Sequence, residues 1–315
     1  MTEVHVVFGA GGGLGSAIVR YLASRGEFVR AVVRDPEEAR RVLPDTAGIV
    51  TGDAFDPAST ASACRGADIV YDCVNIRYSR WSKELSLVRS NVLAAASKAS
   101  ARLVVPDGVN VYGPLQTAKA SENHPRDAAT RKGALAAEIE RMLLDSARSG
   151  KAKVVIPRFP DLYGPYVVNP FMLPKFQAAL SGKTATWPVN LDAPHDLLFA
   201  EDAAAATVRL AQDPAAFGEV WHVPGPGPLT GRQFLEMMFA AAGAKPRVRT
   251  VGRGMFKLFG AFIPDAGEMV ELLYQYERPF VLDGGKFAAR FPDFAYTPHR
   301  EAMTRTVAWF REMLA

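Results

Sequence analysis

The chain has 315 residues, 49% hydrophobic and 22% charged, which is ordinary globular usage and excludes a disordered or fibrous protein. Its net charge is +4, and no basic run gathers this excess into a stripe, so nucleic acid is not an expected partner. The two cysteines suit free thiols in a reducing compartment, and no apolar run approaches the roughly 20 residues that span a bilayer. We therefore expect a cytoplasmic protein with no membrane contact.

Apolar runs and helical periodicity alternate along the first half of the chain. The pattern predicts strands over residues 4–8, 28–33, 48–50, 67–74, 102–105 and 152–156. Helices are predicted between them, the two longest over 81–100 and 128–149. Because near-continuous apolar strands belong to sheets covered on both faces, the predicted fold class is α/β, a Rossmann-type, doubly wound parallel sheet.

The alternation of predicted strands and helices ends after Pro157, where repeated prolines break the regular pattern. A helix over 200–212 and a strand over 219–223 restore it, and the rest of the chain is mainly helical. We expect a Rossmann domain over 1–165, to which 195–223 return. A smaller, mostly helical cap that binds the substrate is expected from 166–194 and 224–315.

The turn after the first strand carries the strongest chemical signal. Its glycines Gly9, Gly12 and Gly15 stand three apart, directly between a strand and a helix. Gly9 allows the turn, Gly12 lets the backbone approach a pyrophosphate, and Gly15 permits close packing of the helix on the strand. Free amides and the helix dipole then face the phosphates. The sequence thus predicts a dinucleotide site at this turn, formed by Gly9, Gly11, Gly12, Gly13, Leu14 and Gly15.

The end of the second strand distinguishes the two nicotinamide cofactors, since an acidic residue there binds the ribose of NAD and an arginine accepts the extra phosphate of NADP. Arg34 occupies this end and predicts NADP, while Asp35 beside it keeps NAD open. The alternative for Arg34 is a solvated strand-end charge, because Arg30 and Arg40 show that the region is basic in any case.

Several motifs together resemble the extended short-chain dehydrogenases/reductases, the NAD-dependent epimerases and dehydratases. They are the glycine turn, the pair Gly52-Asp53, the sequence Val-Tyr-Gly-Pro over 111–114 and the sequence Arg-Phe-Pro-Asp-Leu-Tyr-Gly-Pro over 158–165. The segment 195–204 is also similar, so the resemblance covers nearly the whole chain. It implies further cofactor contacts: Asp53 and Ala54 at the adenine, and Cys73, Val74 and Asn75 along the inner channel. Asp107 and Phe159 are also predicted to bind the cofactor. For Asp53, a role as a turn or cap residue stays open.

The catalytic motif of the family is missing. Redox members carry a serine and then Tyr-x-x-x-Lys, but Gly108, Thr130 and Ala134 stand at the matching positions here. We therefore predict Tyr112 as proton donor, with Asn110 beside it and Lys132 as the cation that makes the phenol acidic. The alternatives are a packed aromatic for Tyr112 and a solvated charge for Lys132.

The predicted function is an NADP-dependent oxidoreductase, epimerase or dehydratase that transfers hydride to or from a small organic molecule. The alternative is an inactive dinucleotide-binding sensor or scaffold, which the missing motif keeps open. Five scattered histidines lack metal-ligand spacing, so no metal is expected. The resemblance also suggests a homodimer paired through the helices 81–100 and 128–149.

Overall fold

The chain, in a computed structural model, is described over residues 3–128, 130–260 and 264–315. The strands are β1 Val4–Phe8, β2 Phe28–Val33, β3 Gly48–Thr51, β4 Ile69–Asp72, β5 Arg102–Val104, β6 Lys153–Arg158, β7 Asp161–Tyr163, β8 Ala185–Pro188, β9 Pro194–His195, β10 Leu197–Phe199, β11 Val220–His222, β12 Leu229–Thr230 and β13 Val248–Val251. The helices are α1 Gly13–Ser24, α2 Pro36–Arg40, α3 Pro57–Ala63, α4 Trp81–Lys98, α5 Arg131–Arg148, α6 Leu173–Leu180, α7 Ala200–Gln212, α8 Gly231–Ala242, α9 Arg253–Gly260, α10 Pro264–Met269, α11 Tyr274–Glu277, α12 Gly285–Arg290 and α13 His299–Met313.

A seven-stranded sheet forms the centre, in the order β11-β6-β5-β4-β1-β2-β3 with every pairing parallel. Helices α1 and α7 pack on one face, and α4 and α5 pack on the other. Central residues such as Val6, Val7 and Val70 are therefore fully buried. This confirms the predicted doubly wound Rossmann sheet. The strand order reverses between β1 and β4, and a ligand crevice forms at such a point, outside the carboxyl ends of the strands.

The part of the chain after β7 builds a second core. Aromatic residues of α6, β8, α8 and α13 pack there, including Phe176, Trp187, Phe234 and Phe310. Short strand pairs join this region, with β13 on β8 and β12 on β9. The helical C-terminal region thus lies beside the sheet as predicted.

In the described residues, no helix combines the length and apolar character needed to cross a membrane.

One helix boundary and one pair of strands differ from the sequence prediction. Helix α5 begins at Arg131 because the Thr130 side chain accepts a hydrogen bond from the Gly133 amide and caps the helix. Residue 129 of the predicted helix lies outside the described residues. The parallel pair β7 and β10 was not predicted, since each strand has three residues and lies among prolines.

Candidate active site

The glycine turn leaves no room for side chains at two of its positions. Gly9 has φ +69°, and a Cβ on it would lie 2.5 Å from the Cys73 carbonyl oxygen. A Cβ on Gly15 would overlap the carbonyl oxygen of Gly9, so α1 packs directly against the end of β1. Glycine at these two positions is thus required by the backbone itself.

The outer side of the turn is open. Gly11 is exposed, and a Cβ placed on it would meet no atom within 4 Å. Gly12 is the N-cap of α1 and donates to the Gly9 carbonyl at 3.0 Å, and the first bond within α1 runs from the Ser16 amide to the Gly12 carbonyl. The amides of Gly13 and Leu14 precede that bond and lie at the positive end of the helix dipole. These residues fit the diphosphate of a dinucleotide.

Arg34 and Asp35 have different surroundings at the end of β2. The Asp35 carboxylate caps α2, accepting from the amides of Glu37 at 3.0 Å and Glu38 at 3.1 Å. Arg34 is exposed, and in the described part of the chain no side chain forms an ion pair with it. The guanidinium is therefore free to bind an anion, while the neighbouring carboxylate is already engaged.

The residues predicted at the adenine and the inner channel follow β3 and β4. The Asp53 carboxylate accepts from the Phe55 amide at 3.0 Å, so Asp53 forms the turn that the alternative interpretation describes. Ala54 is buried, Val74 is half-buried and Asn75 is exposed. The Cys73 carbonyl abuts Gly9, and burial raises the pKa of its thiol. These residues lie at the carboxyl ends of neighbouring strands, and those after β4 lie beside the glycine turn.

Tyr112 lies in a buried polar network and not at an open pocket. Its side chain is fully buried, and its hydroxyl lies 3.1 Å from Arg158 Nη1 and 2.7 Å from His222 Nε2. Arg158 also contacts Asp107 at 2.8 Å and Glu140 at 2.6 Å. Burial raises the pKa of Tyr112 despite the nearby guanidinium. This geometry matches the packed-aromatic interpretation of Tyr112. Asp107 faces the network because it is paired with Arg158.

Phe159 and Lys132 are also buried. Phe159 is part of the sheet core, and its amide donates to the Asp107 carbonyl at 3.0 Å. The ammonium of Lys132 contacts Glu268 and lies 2.6 Å from Glu271. The predicted partnership of Lys132 with Tyr112 is therefore not formed, because each side chain is held by other groups.

The tyrosine that does lie beside Lys132 is Tyr78. The Lys132 ammonium is 5.8 Å from the centre of its ring, and the nearby Asn110 side chain acts to lower the pKa of its hydroxyl. Burial, with a smaller contribution from Asp161, raises the pKa of Tyr78 to about 12. Sequence reasoning missed Tyr78 because it lies in a 3-10 turn outside any motif. Its place shortly after β4, at the switch point, was the available signal.

A segment from the end of α10 into α11 contacts Asn110 and Lys132. Gln275 donates to Asn110 Oδ1 at 3.0 Å, and the Tyr274 hydroxyl donates to the Tyr112 carbonyl at 2.5 Å. Glu271 accepts a hydrogen bond from the Lys132 ammonium, so this segment lies over the carboxyl end of β5. The arrangement can exclude water from a ligand at this end of the crevice.

A family model decides the classification. The model of the NAD-dependent epimerase/dehydratase family matches residues 5–223. The chain belongs to this family. It is accordingly an enzyme of the extended short-chain dehydrogenase/reductase type, and a nicotinamide cofactor is expected of the family. A comparison with curated proteins finds no match in sequence.

Solved structures of similar fold include several members of the family. The dTDP-glucose 4,6-dehydratase of Streptomyces venezuelae, solved with NAD and TYD bound, has a TM-score of 0.79 at 21% identity, over 98% of this chain and 97% of that one. The UDP-glucose 4-epimerase of Thermus thermophilus, in complex with NAD, has a TM-score of 0.78 at 21% identity, over 98% and 99%. The dTDP-glucose 4,6-dehydratase of Bacillus anthracis, in complex with NAD, has a TM-score of 0.81 at 16% identity, over 99% and 97%. At these identities the likeness shows the fold alone.

Proposed function

We propose that this protein is an NADP-dependent oxidoreductase of the epimerase/dehydratase family that transfers hydride to or from a small organic molecule. The observation that carries the proposal is the unpaired guanidinium of Arg34 directly after β2, whose neighbour β1 leads into the glycine turn that is open at Gly11. A guanidinium can grip a phosphate with two parallel hydrogen bonds, as the 2′-phosphate of NADP requires. Asp35 supports the same choice, since one of its carboxylate oxygens, Oδ1, is used by the α2 cap and only the other remains for a ribose.

The remaining cofactor contacts follow from the strand ends. Gly12, Gly13, Leu14 and Gly15 would hold the diphosphate. The outer carboxylate oxygen of Asp53 and the backbone of Ala54 would hold the adenine, and Cys73, Val74 and Asn75 would line the channel toward the nicotinamide. Residues 1–165 and 195–223 would form this dinucleotide domain, with 166–194 and 224–315 as the substrate cap.

Proton transfer is assigned to Tyr78 in place of Tyr112. When bound, the nicotinamide supplies or takes the hydride. Tyr78 exchanges the proton with the substrate oxygen, and Asn110, which acts to lower the pKa of the phenol, helps to orient it. Lys132 anchors the covering segment through Glu268 and Glu271 and so keeps water from the reacting groups.

Sugar nucleotides are the first substrates to test, because similar solved structures are named for UDP-glucose and dTDP-glucose enzymes. The helices α4 and α5 would pair two copies into a homodimer. Binding of NADPH without turnover of any carbonyl or sugar compound would favour the sensor alternative, which the missing Tyr-x-x-x-Lys motif keeps open.

The test is calorimetric titration with NADPH and NADH of the native chain and of Arg34→Glu. The native protein is expected to prefer NADPH, and the variant to lose at least tenfold in NADPH affinity because a carboxylate repels the phosphate. Arg41→Glu is the matched control, since it makes the same charge change at an exposed site nearby. An Arg34→Glu protein that still prefers NADPH would overturn the assignment.

A further inference from the structure

A second group of polar and aromatic side chains lies where β7, α6, β8 and α11 meet. We call it the cap cluster, and its members are Asp161, Phe171, Lys175, Trp187, His195 and Tyr276. The Tyr276 hydroxyl donates to Asp161 Oδ2 at 2.5 Å. The rings of Phe171, Trp187 and Tyr276 pack on one another, with centres 5.4 to 5.9 Å apart. Nothing in the proposed hydride step has used these groups.

Lys175 is a buried amine without a carboxylate partner. It is 4% exposed, its ammonium donates to the Phe171 carbonyl at 2.5 Å, and it lies 3.3 Å from the centre of the Phe171 ring. Lys132 is equally buried but has two glutamates. Within the described residues no carboxylate lies within ion-pair distance of Lys175, so its charged form is poorly compensated. Burial lowers the pKa of Lys175 to about 7, although Asp161 acts in the opposite direction.

His195 adds a polar atom that lacks a partner. Its side chain is 5% exposed, and its buried Nε2 has no hydrogen-bond partner among the described residues. Its ring lies 5.4 Å from that of Tyr276. Burial lowers the pKa of His195 to about 4, so the imidazole is neutral at pH 7. Buried polar atoms are nearly always paired with protein, water or ligand, so an unpaired one points to a ligand.

Two members of the cap cluster are in part exposed. Asp161 and Phe171 are half-buried, whereas Lys175 and His195 behind them are buried. Asp161 also raises the pKa of Tyr78, and burial raises the pKa of Asp161 itself. A molecule beside Tyr78 can therefore meet Asp161 and the edge of Phe171 first.

We propose that the cap cluster is a substrate subsite in which Lys175 exchanges a proton with a second hydroxyl or carbonyl oxygen of the substrate, separate from the oxygen that Tyr78 serves. As an ammonium, Lys175 gives a proton to a carbonyl oxygen, so an N–H bond breaks as an O–H bond forms. As an amine, it takes the proton of a hydroxyl, and the same bonds change in reverse. The hydrogen-bonded pair of Asp161 and Tyr276 fixes the side chains around the amine. The neutral His195 donates or accepts one further hydrogen bond with the substrate. The location of the substrate rests on the proposed function.

The charge state of Lys175 can be measured without turnover. Lysine 13Cε signals are followed by NMR from pH 5 to 11, and the Lys175 signal is assigned from its loss in Lys175→Arg. A midpoint near pH 7 is expected, against about 10.4 for an ordinary lysine in a peptide. Addition of UDP-glucose, dTDP-glucose or cyclohexanone to the NADPH-loaded protein is expected to shift this signal. A midpoint above pH 9, or no shift with any of the three, overturns the proposal.

Two variants separate a substrate role from a structural one. Lys175→Arg keeps the charge but cannot deprotonate near neutral pH, so turnover of a responsive compound should fall by about 10²-fold or more while NADPH affinity stays within twofold. Lys175→Met should fold at least as stably as the native chain, because it removes a poorly paired buried charge. Full turnover in Lys175→Arg contradicts the proposal. A native chain that binds no NADPH contradicts the proposed function, while the Lys175 midpoint, measured without cofactor, is unaffected.

Discussion

Replacing Tyr112 and Tyr78 by phenylalanine should have opposite consequences. The Tyr112 hydroxyl is fully buried between Arg158 and His222, so Tyr112→Phe leaves two buried polar groups without that partner. Each such group costs about 1–3 kcal/mol, so we expect a loss of about 2–4 kcal/mol in the free energy of unfolding, allowing for partial relaxation. Tyr78 is half-buried, and losing its hydroxyl should cost at most about 0.5–1.5 kcal/mol, the net value of one ordinary hydrogen bond.

For turnover, the order of the two variants should be reversed, with the larger loss in Tyr78→Phe. Removing a positioned proton donor lowers turnover by about 10²–10⁴-fold, and we expect this of Tyr78→Phe and not of Tyr112→Phe. Urea unfolding gives the stabilities, and NADPH oxidation with a panel of aldehydes, ketones and sugar nucleotides gives turnover. A Tyr112→Phe protein that is as stable as the native chain but has lost turnover would refute this division of roles and restore Tyr112 as the donor.

Further outcomes concern the turn and a buried acid. Gly15→Ala should cost about 1–3 kcal/mol of stability because its Cβ overlaps Gly9, as thermal unfolding would show; an unchanged melting temperature would count against the packing described. Asp196 accepts from the Leu282 amide at 2.6 Å, and burial raises its pKa to about 7. Its folded state thus holds a proton that the unfolded chain releases near pH 4, so the native chain loses stability as the pH rises through 7. Asp196→Asn should therefore gain more over the native chain at pH 8 than at pH 5, by at least about 1 kcal/mol in urea titrations, and equal differences at both pH values would contradict the shift.

The sheet was predictable because its signals are local. Strands β1 and β4 are covered on both faces, so their residues form continuous apolar runs that any window of the sequence reveals. The pair β7 and β10 was not predictable, since three-residue strands leave too short a pattern and the partners are 36 residues apart. Short strands of this kind are fixed by tertiary packing.

The same distinction holds for the site. The glycine turn uses neighbours in sequence, so spacing alone located its closely packed and open positions. Lys132 finds its partner 136 residues away at Glu268, a contact that no local pattern announces. Tyr78 and Lys175 likewise belong to no motif. The spacing therefore predicted which glycines the backbone of the turn requires but assigned the wrong neighbour to Lys132.

Titration of NADPH into Gly11→Val tests the central claim most directly. Gly11 is exposed and a Cβ added to it meets no atom within 4 Å, so the variant should keep the native melting temperature. The same side chain would occupy the space above the α1 amides where we place the diphosphate, so NADPH affinity should fall by at least tenfold. An equally stable variant that binds NADPH as tightly as the native chain would contradict a dinucleotide site at this turn.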